Sequence, residues 1–440
     1  MRGKSASPVI SRRIFTREQH GISRNDIDDS ALKVLYRLHN AGYEAYLVGG
    51  CVRDLMLGLH PKDFDVVTNA TPEQVRKLFR NSRLIGRRFQ LVHVIFGRDI
   101  IEVATFRGHH QDDENHGKQN DHGQILRDNV FGSIEEDAER RDFSVNAMYY
   151  NIADFTVHDF AGGVEALQAR KLDLIGDPET RYREDPVRML RAARFAAKLD
   201  MQIAERSAKP IRTLASLLSN IPPARLFEEV IKLFLSGHGE RTLELMADYN
   251  LLQPLFPALT PLVKQRDSKE WAFLRQVMRN SDQRIADGLS VTPAFIYAAL
   301  MWYPVEIRYG QLRAESGLSE NDAFNLAMTE VIEQQIRRIM IPRRFTTPIR
   351  EIWQMQQRLT RRQGRRAWQT FEHPRFRAGF DFLLVRGQAE GGQAEELTQW
   401  WQAFQDADND ARRAMLERQP TQAKKRPRRR RAPRPKKQES

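Results

Sequence analysis

The chain has 440 residues, 41% of them hydrophobic, and a formal net charge of +13; that length holds two or three domains with sizeable cores. Its single cysteine, Cys51, excludes a disulfide framework and any cysteine-built zinc site, and fits a reducing cytoplasm. No apolar run reaches the length of a membrane span, and the polar start Met1-Arg2-Gly3-Lys4-Ser5 lacks the apolar core of a secretory signal.

Residues 1–22 are polar and without periodicity, which predicts a flexible leader. Ser23-Arg24-Asn25-Asp26 has the look of a capping box and predicts a helix with Leu32, Leu35 and Leu38 along one apolar stripe. Tyr46-Leu47-Val48 is a short β-forming run that stops at Gly49 and Gly50, so a buried strand should end there in a tight turn. Glycines at such a turn let backbone N–H groups approach a phosphate with no Cβ in the way. Arg53 follows at once, with charge-assisted donors for the same oxyanions.

Asp63 and Asp65 come next, two residues apart. In a strand that spacing puts both carboxylates on one face, while Phe64 and Val66 turn to the core. Two hard oxygen ligands beside a phosphate cradle are what Mg²⁺-dependent phosphoryl or nucleotidyl transfer needs. Thr71-Pro72-Glu73-Gln74 reads as a second helix start, and strands are expected at 92–96 and 100–105. Glu102 is a lone acid in the second of these runs. A buried, unpartnered carboxylate is costly, so Glu102 is expected to face a cation.

Residues 108–123 are polar and carry His109, His110, His116 and His122 without a ligating scaffold, which predicts a mobile loop beside the site. Beyond about residue 175 the pattern turns helical; residues 224–234 have apolar positions three and four apart. Neither a Walker A sequence nor G-x-G-x-x-G occurs, so P-loop and Rossmann readings lack support. Residues 421–440 hold ten Lys/Arg against one Glu, hence nine of the thirteen net charges. This tail, with Arg428, Arg429, Arg430 and Arg431 at its centre, is expected to be disordered and to bind a polyanion. RNA suits it better than a membrane, because no apolar face accompanies the charge.

The string V-G-G-C-V-R-D-L-M-L-G, then D-F-D, then Glu102 on a later strand, resembles the class II branch of the nucleotidyltransferases related to DNA polymerase beta. That branch holds the bacterial poly(A) polymerases and the CCA-adding tRNA nucleotidyltransferases. The resemblance implies that Asp63 and Asp65, helped by Glu102, hold two Mg²⁺ ions while an RNA 3′-hydroxyl attacks and pyrophosphate leaves. R-R-D-F-S-V-N-A, from Arg140 to Ala147, is similar to the family's second motif, R-R-D-F-T-I-N-A. It implies that Arg141 contacts the triphosphate and that Asp142 and Asn146 serve the ribose and the catalytic arrangement.

E-D-P-V-R-M-L-R-A-A-R-F, from Glu184 to Phe195, resembles E-D-x-x-R-x-x-R-A-x-R-F. Asp185 suits a helix N-cap with Pro186 at the first helical position, and Arg188 and Arg191 share a face. An aspartate acceptor beside an arginine donor presents a protein edge to a nucleobase; the resemblance implies that Asp185 and Arg188 read the base. His158-Asp159 lacks the other ligands of an HD phosphohydrolase.

The catalytic motifs do not separate poly(A) synthesis from CCA addition. L-I-G-R-R-F, from Leu84 to Phe89, closely resembles a segment of the bacterial poly(A) polymerases and puts Arg87 and Arg88 near the nucleotide or primer path. The similarity extends to Pro223-Ala224-Arg225-Leu226-Phe227 and to Arg361, Arg362, Arg365 and Arg366 with Trp368. That last segment suits single-stranded RNA, or is an amphipathic helix packing Trp368 inward. The resemblance implies template-independent polyadenylation of RNA 3′ ends with ATP, acting on messenger, regulatory and structured RNAs and promoting turnover alongside RNA-decay proteins. CCA addition, and a non-catalytic RNA-binding protein, stay open as alternatives. The implied fold is an α/β nucleotidyltransferase head with a small mixed sheet (23–160), a neck bearing a base-binding helix (161–235), an all-α body (236–415) and a disordered basic tail (416–440).

Overall fold

The structure is a computed structural model that describes residues 12–86, 90–108 and 130–417. Arg87 and Arg88, the four histidines of the 108–123 stretch and the tail arginines Arg428 to Arg431 lie outside the described residues.

Eight short strands form one mixed sheet in the head: β1 (Arg13–Phe15), β2 (Ala45–Val48), β3 (Asp65–Thr68), β4 (Ser82–Ile85), β5 (Leu91–Phe96), β6 (Asp99–Thr105), β7 (Met148–Asn151) and β8 (Val157–Asp159). Their order is β1-β8-β7-β2-β3-β6-β5-β4. β3 and β6 run parallel, joined by the crossover that contains the helix Pro72–Leu78; the other neighbours are antiparallel.

Period-two alternation sorts the sheet's two faces. Tyr46, Val48, Val67 and Tyr149 form one apolar layer with Phe106 and Phe160, covered by Ile134 and Ala138 of the helix Ile134–Arg140. Leu47, Val66 and Val103 are buried on the other face. The helix Asp29–Asn40 lies against β2, β3 and β6 and buries Ala31, Val34, Leu35 and Leu38. Each large aliphatic or aromatic chain so buried contributes about 1.5–3 kcal/mol.

Three local expectations are corrected. The part of the expected leader 1–22 that is described, from Arg12 on, belongs to the head: β1 pairs with the otherwise open edge of β8, and His20 and Ile22 are buried, the His20 ring 2.9 Å from the Phe155 carbonyl. Ser23 caps only the 3₁₀ turn Arg24–Asp26; the helix opens at Asp29, where the Asp28 carboxylate accepts from the N–H groups of Ser30 and Ala31 at 2.7 and 3.2 Å. Ile27, extended and buried, separates the two and shifts the stripe, leaving Leu32 only half-buried. Asp63 also stands two residues ahead of β3, in irregular chain; only Asp65 is in the strand, as its first residue.

Past the sheet the chain is almost wholly helical. Its contacts divide it into two units between Thr346 and Thr347. In the first, the helices Val187–Leu199, Pro223–Phe234 and Gly239–Asp248 pack on one another. In the second, Met355, Leu359, Phe376, Phe380, Leu383, Trp401 and Phe404 form the core, and Trp368 packs against it with its ring edge-on to Phe404 at 5.6 Å.

Candidate active site

Strand register builds the acidic half of the site. Asp65 is paired with Val48 on β2 and with Glu102 on β6, and Glu102 in turn with His93 on β5. Directly paired residues point to the same face. Asp65, Glu102 and His93 therefore stand side by side where the apolar layer runs out. Asp63 is exposed just before them.

Glu102 is not the buried acid expected from its run: about half of its side chain is exposed, and the group it faces is the His93 ring, 3.2 Å from its carboxylate. The edge position explains the difference, because the sheet's core face ends one pair before it. Desolvation by the surrounding protein, then the Glu102 charge, push the Asp65 carboxyl up to about 6; Arg141 opposes this, and Asp63 adds to it.

The turn after β2 is glycine for a geometric reason. Gly49 has φ +79°, which an L side chain seldom adopts, and it feeds directly into the helix Gly50–Met56. A Cβ at Gly49 would lie 3.5 Å from Nη1 of Arg141, so the second motif hangs over the first. Cys51 is buried in that helix, its Sγ 3.2 Å from the Val48 carbonyl, and burial pushes its thiol up to about 12.

Arg53, placed by its sequence position beside a phosphate, is buried. It donates to Asp54 Oδ1 from Nε and Nη2 at 2.8 and 2.6 Å and to Asn146 Oδ1 at 2.6 Å. It thereby ties the glycine turn to the second motif.

Asp142 and Asn146 are joined by a 3.3 Å hydrogen bond, and Asp142 accepts from Arg191 Nε at 2.7 Å. Burial disfavours the Asp142 charge, but Arg191, the Phe143 N–H and Asn146 outweigh it and hold the carboxyl below its ordinary range. The Arg191 and Arg194 guanidinium groups both lie over the Phe195 ring, at 5.1 and 4.6 Å, with Arg53 over it at 5.5 Å. Arg194 Nε is buried without a hydrogen-bond partner among the described residues, and its desolvation beside Arg191 lowers its pKa. Arg194 lies in the motif from Glu184 to Phe195, and its i, i+3 spacing from Arg191 is the sequence signal that places both on one face.

Asp185 caps the end of the helix Pro178–Glu184, and the next helix is hydrogen-bonded from Val187, with Pro186 already helical in its backbone angles. The Asp185 side chain accepts from the Val187 N–H at 3.3 Å and from Arg225 at 2.7 Å. Arg188 donates to Glu184 at 3.0 Å and to the Arg181 carbonyl at 2.6 Å. Without a ligand these two candidates are thus paired to other groups. Arg181 anchors the arrangement by donating to the carbonyls of Arg140 and Arg141, both at 2.8 Å. Arg181 and Arg225 carried no sequence signal beyond lying in or near motifs.

Arg361, Arg365 and Arg366 are exposed in the second unit, and Arg362 lies over the Trp400 ring at 5.9 Å. His158 and Asp159 do other work: Asp159 accepts from the N–H groups of Ala161, Gly163 and Val164, while the His158 ring contacts Arg12 and Thr156.

Among the described residues no three carboxylate, imidazole or thiolate groups converge as a ready-made metal cage. Mg²⁺ does not require one. It keeps several waters and takes one or two carboxylates plus substrate phosphates. Asp65, flanked by two acids that raise its pKa, fits that donor set.

The family model described as the poly A polymerase head domain matches residues 45–173. Those described as a probable RNA and SrmB-binding site of polymerase A and as the polymerase A arginine-rich C-terminus match 200–262 and 316–436. The chain is 56% identical over 92% of its length to poly(A) polymerase I of Salmonella typhimurium, covering 88% of that protein. It is 54% identical over 98% of its length to poly(A) polymerase I of Escherichia coli O6:H1, covering 94%. The solved CCA-adding enzyme of Bacillus stearothermophilus in complex with CTP shares the fold, with TM-score 0.59 and 23% identity over 86% of this chain and 82% of that one. The mixed-sheet head and helical continuation agree with these matches, and the chain belongs to the poly(A) polymerase family, as a nucleotidyltransferase that polyadenylates RNA.

Proposed function

We propose that this chain transfers AMP from ATP to RNA 3′-hydroxyls, without a template, at the edge of the head sheet where β3 and β6 meet. The observation that carries the reading is the register pairing of Asp65 with Glu102, with Asp63 two residues upstream. Asp63 and Asp65 would hold Mg²⁺, with Glu102 beside them. When bound, Mg²⁺ supplies positive charge to the α-phosphate and the attacking oxygen.

The protein's own groups do the rest. Gly49 and Gly50 leave room for the phosphates, and Arg141 Nη1 lies over the Gly49 turn as their cation. Asp142 fixes Arg191 and Asn146, which fixes the wall that faces the ribose. The base meets the start of the helix Val187–Leu199, where Asp185 and Arg188 exchange their present partners, Arg225 and Glu184, for its edge. The family model's name supports RNA contact at residues 200–262, and within the second unit the exposed arginines at 361, 365 and 366 are a separate set of RNA contacts that we infer from their charge. Arg87, Arg88 and the 421–440 tail are the further RNA contacts we infer from charge. Among the described residues no helix is long and apolar enough to cross a membrane.

Incubating the full chain with a generic RNA, Mg²⁺ and each single NTP tests the reading. Long products with ATP alone are expected. A product limited to three residues on a tRNA lacking its end, with CTP and ATP both required, would show CCA addition instead.

A further inference from the structure

Arg141 follows directly on the helix Ile134–Arg140, one turn beyond Asp137. Its Nε donates to Asp137 Oδ2 at 3.1 Å and to the Tyr149 hydroxyl at 3.0 Å, and its Nη2 donates to the same Asp137 oxygen at 3.0 Å. The Tyr149 hydroxyl donates its own proton to Asp137 Oδ2 at 2.8 Å. The other Asp137 oxygen accepts from the Arg107 N–H at 3.3 Å, which anchors it to the chain just beyond β6. Asp137 and Tyr149 are both buried, and the Tyr149 ring underlies the guanidinium at 5.4 Å.

Two buried side chains thus occupy one edge of a single arginine. Among the described residues neither engages Nη1, which is the nitrogen over the Gly49 turn. Strand register reinforces the aim. Tyr149 is paired with Val48, and Val48 with Asp65, so the clamp sits in the same row as the acids. An arginine on the surface searches many rotamers. One held at Nε and Nη2 has already lost that freedom, so presenting Nη1 to a ligand costs less entropy.

We propose that Asp137 and Tyr149 are positioning residues for nucleotide recognition: they hold Arg141 edge-on to the Gly49 turn, so that Nη1 meets the triphosphate in one fixed direction. This rests on the reading of Arg141 as a triphosphate cation. The β- and γ-phosphates are the moiety recognised; a nucleoside monophosphate gains nothing from the clamp.

The test is equilibrium binding of a non-hydrolysable ATP analogue and of AMP to the full chain, in a double-mutant cycle of Tyr149→Phe with Arg141→Ala. Tyr149→Phe should weaken the analogue about tenfold, the order of one charge-assisted hydrogen bond, and AMP less than twofold. In the Arg141→Ala background the same change should have no further effect on the analogue. Asp137→Asn should behave like Tyr149→Phe; if it fails to fold, Tyr149→Phe carries the test. Equal losses for AMP and the analogue, or an undiminished effect of Tyr149→Phe without Arg141, would mean a purely structural pair and overturn the proposal. If Arg141→Ala itself leaves analogue binding unchanged, the triphosphate reading of Arg141 fails. If it weakens binding while Tyr149→Phe does not, only the positioning role fails.

Discussion

The two walls of the candidate site are built on opposite electrostatic plans. On the sheet edge, Asp63, Asp65 and Glu102 gather like charge and leave it open to solvent, with one imidazole beside it. On the helix Val187–Leu199 and its neighbours, nearly every cation already has an internal partner. Arg191 holds Asp142, Arg188 holds Glu184 and Arg53 holds Asp54. The acid edge gathers like charges, while most cations of the basic wall are already paired, the buried Arg194 Nε being without a hydrogen-bond partner among the described residues. Crowded carboxylates create affinity for metal, whereas paired guanidinium groups keep their direction and can trade partners at little cost in desolvation.

Removing an open acid should therefore cost the most. Asp65→Ala should lower AMP incorporation by at least about a thousandfold under saturating ATP, since the metal's charge stabilisation is lost. RNA retention in a gel-shift assay should persist. Single-turnover rates within tenfold of wild type would break the contrast, by showing that the acid edge is not the metal wall.

Breaking a pair on the basic wall should cost less, though it also disturbs structure. Asp142→Asn leaves Arg191 with a weaker acceptor, and kcat/KM for ATP is expected to fall about a hundredfold, with a lower melting temperature. A loss as large as that of Asp65→Ala would move Asp142 from the positioning wall to the reacting centre.

Arg188→Ala sharpens the comparison on the base side. Discrimination of ATP over CTP should fall about tenfold, more than turnover with ATP does, because a matched polar edge rejects a wrong base by leaving groups unpaired. Unchanged discrimination would place base selection elsewhere on the wall.

The smallest effect concerns a buried group that neither wall uses. Burial first, then the Arg12 charge, lower the His158 imidazole to about 4. Unfolded, it titrates near 6.5, so between about 6.5 and 4 the unfolded chain binds more protons than the folded one. Stability is lost as pH falls through that window. His158→Asn should flatten the decline in melting temperature over that range, while the activity profile stays unchanged. An equally steep decline would assign the acid sensitivity to other groups.

Much of the site was legible in the chain because its signals are local. A glycine pair after a β-forming run, two aspartates at i and i+2, and a lone acid in an apolar run are each readable within a few residues, and the structure brings Asp65 and Glu102 into one pair beside the glycine turn. Helix starts were less secure. Ser23 was a plausible cap, but an intervening buried Ile27 handed the role to Asp28. The strand that should have carried both aspartates begins only at the second, since a strand's first residue depends on where its neighbours β2 and β6 begin pairing.

The sequence alone determined which kinds of group the candidate site contains: two aspartates and a later glutamate, a glycine pair, and several arginines. Only the tertiary structure decided which of them are free. Arg53 was bound to Asn146, 93 residues away, Asp142 to Arg191 and Asp185 to Arg225 by the packing of elements distant in the chain. The row Tyr149–Val48–Asp65–Glu102–His93 exists only through strand register. The physical reason is that residue type and spacing are written locally. A hydrogen-bond partner is chosen only once loop closure and burial have brought several candidates together, and desolvation penalises every group left unpaired.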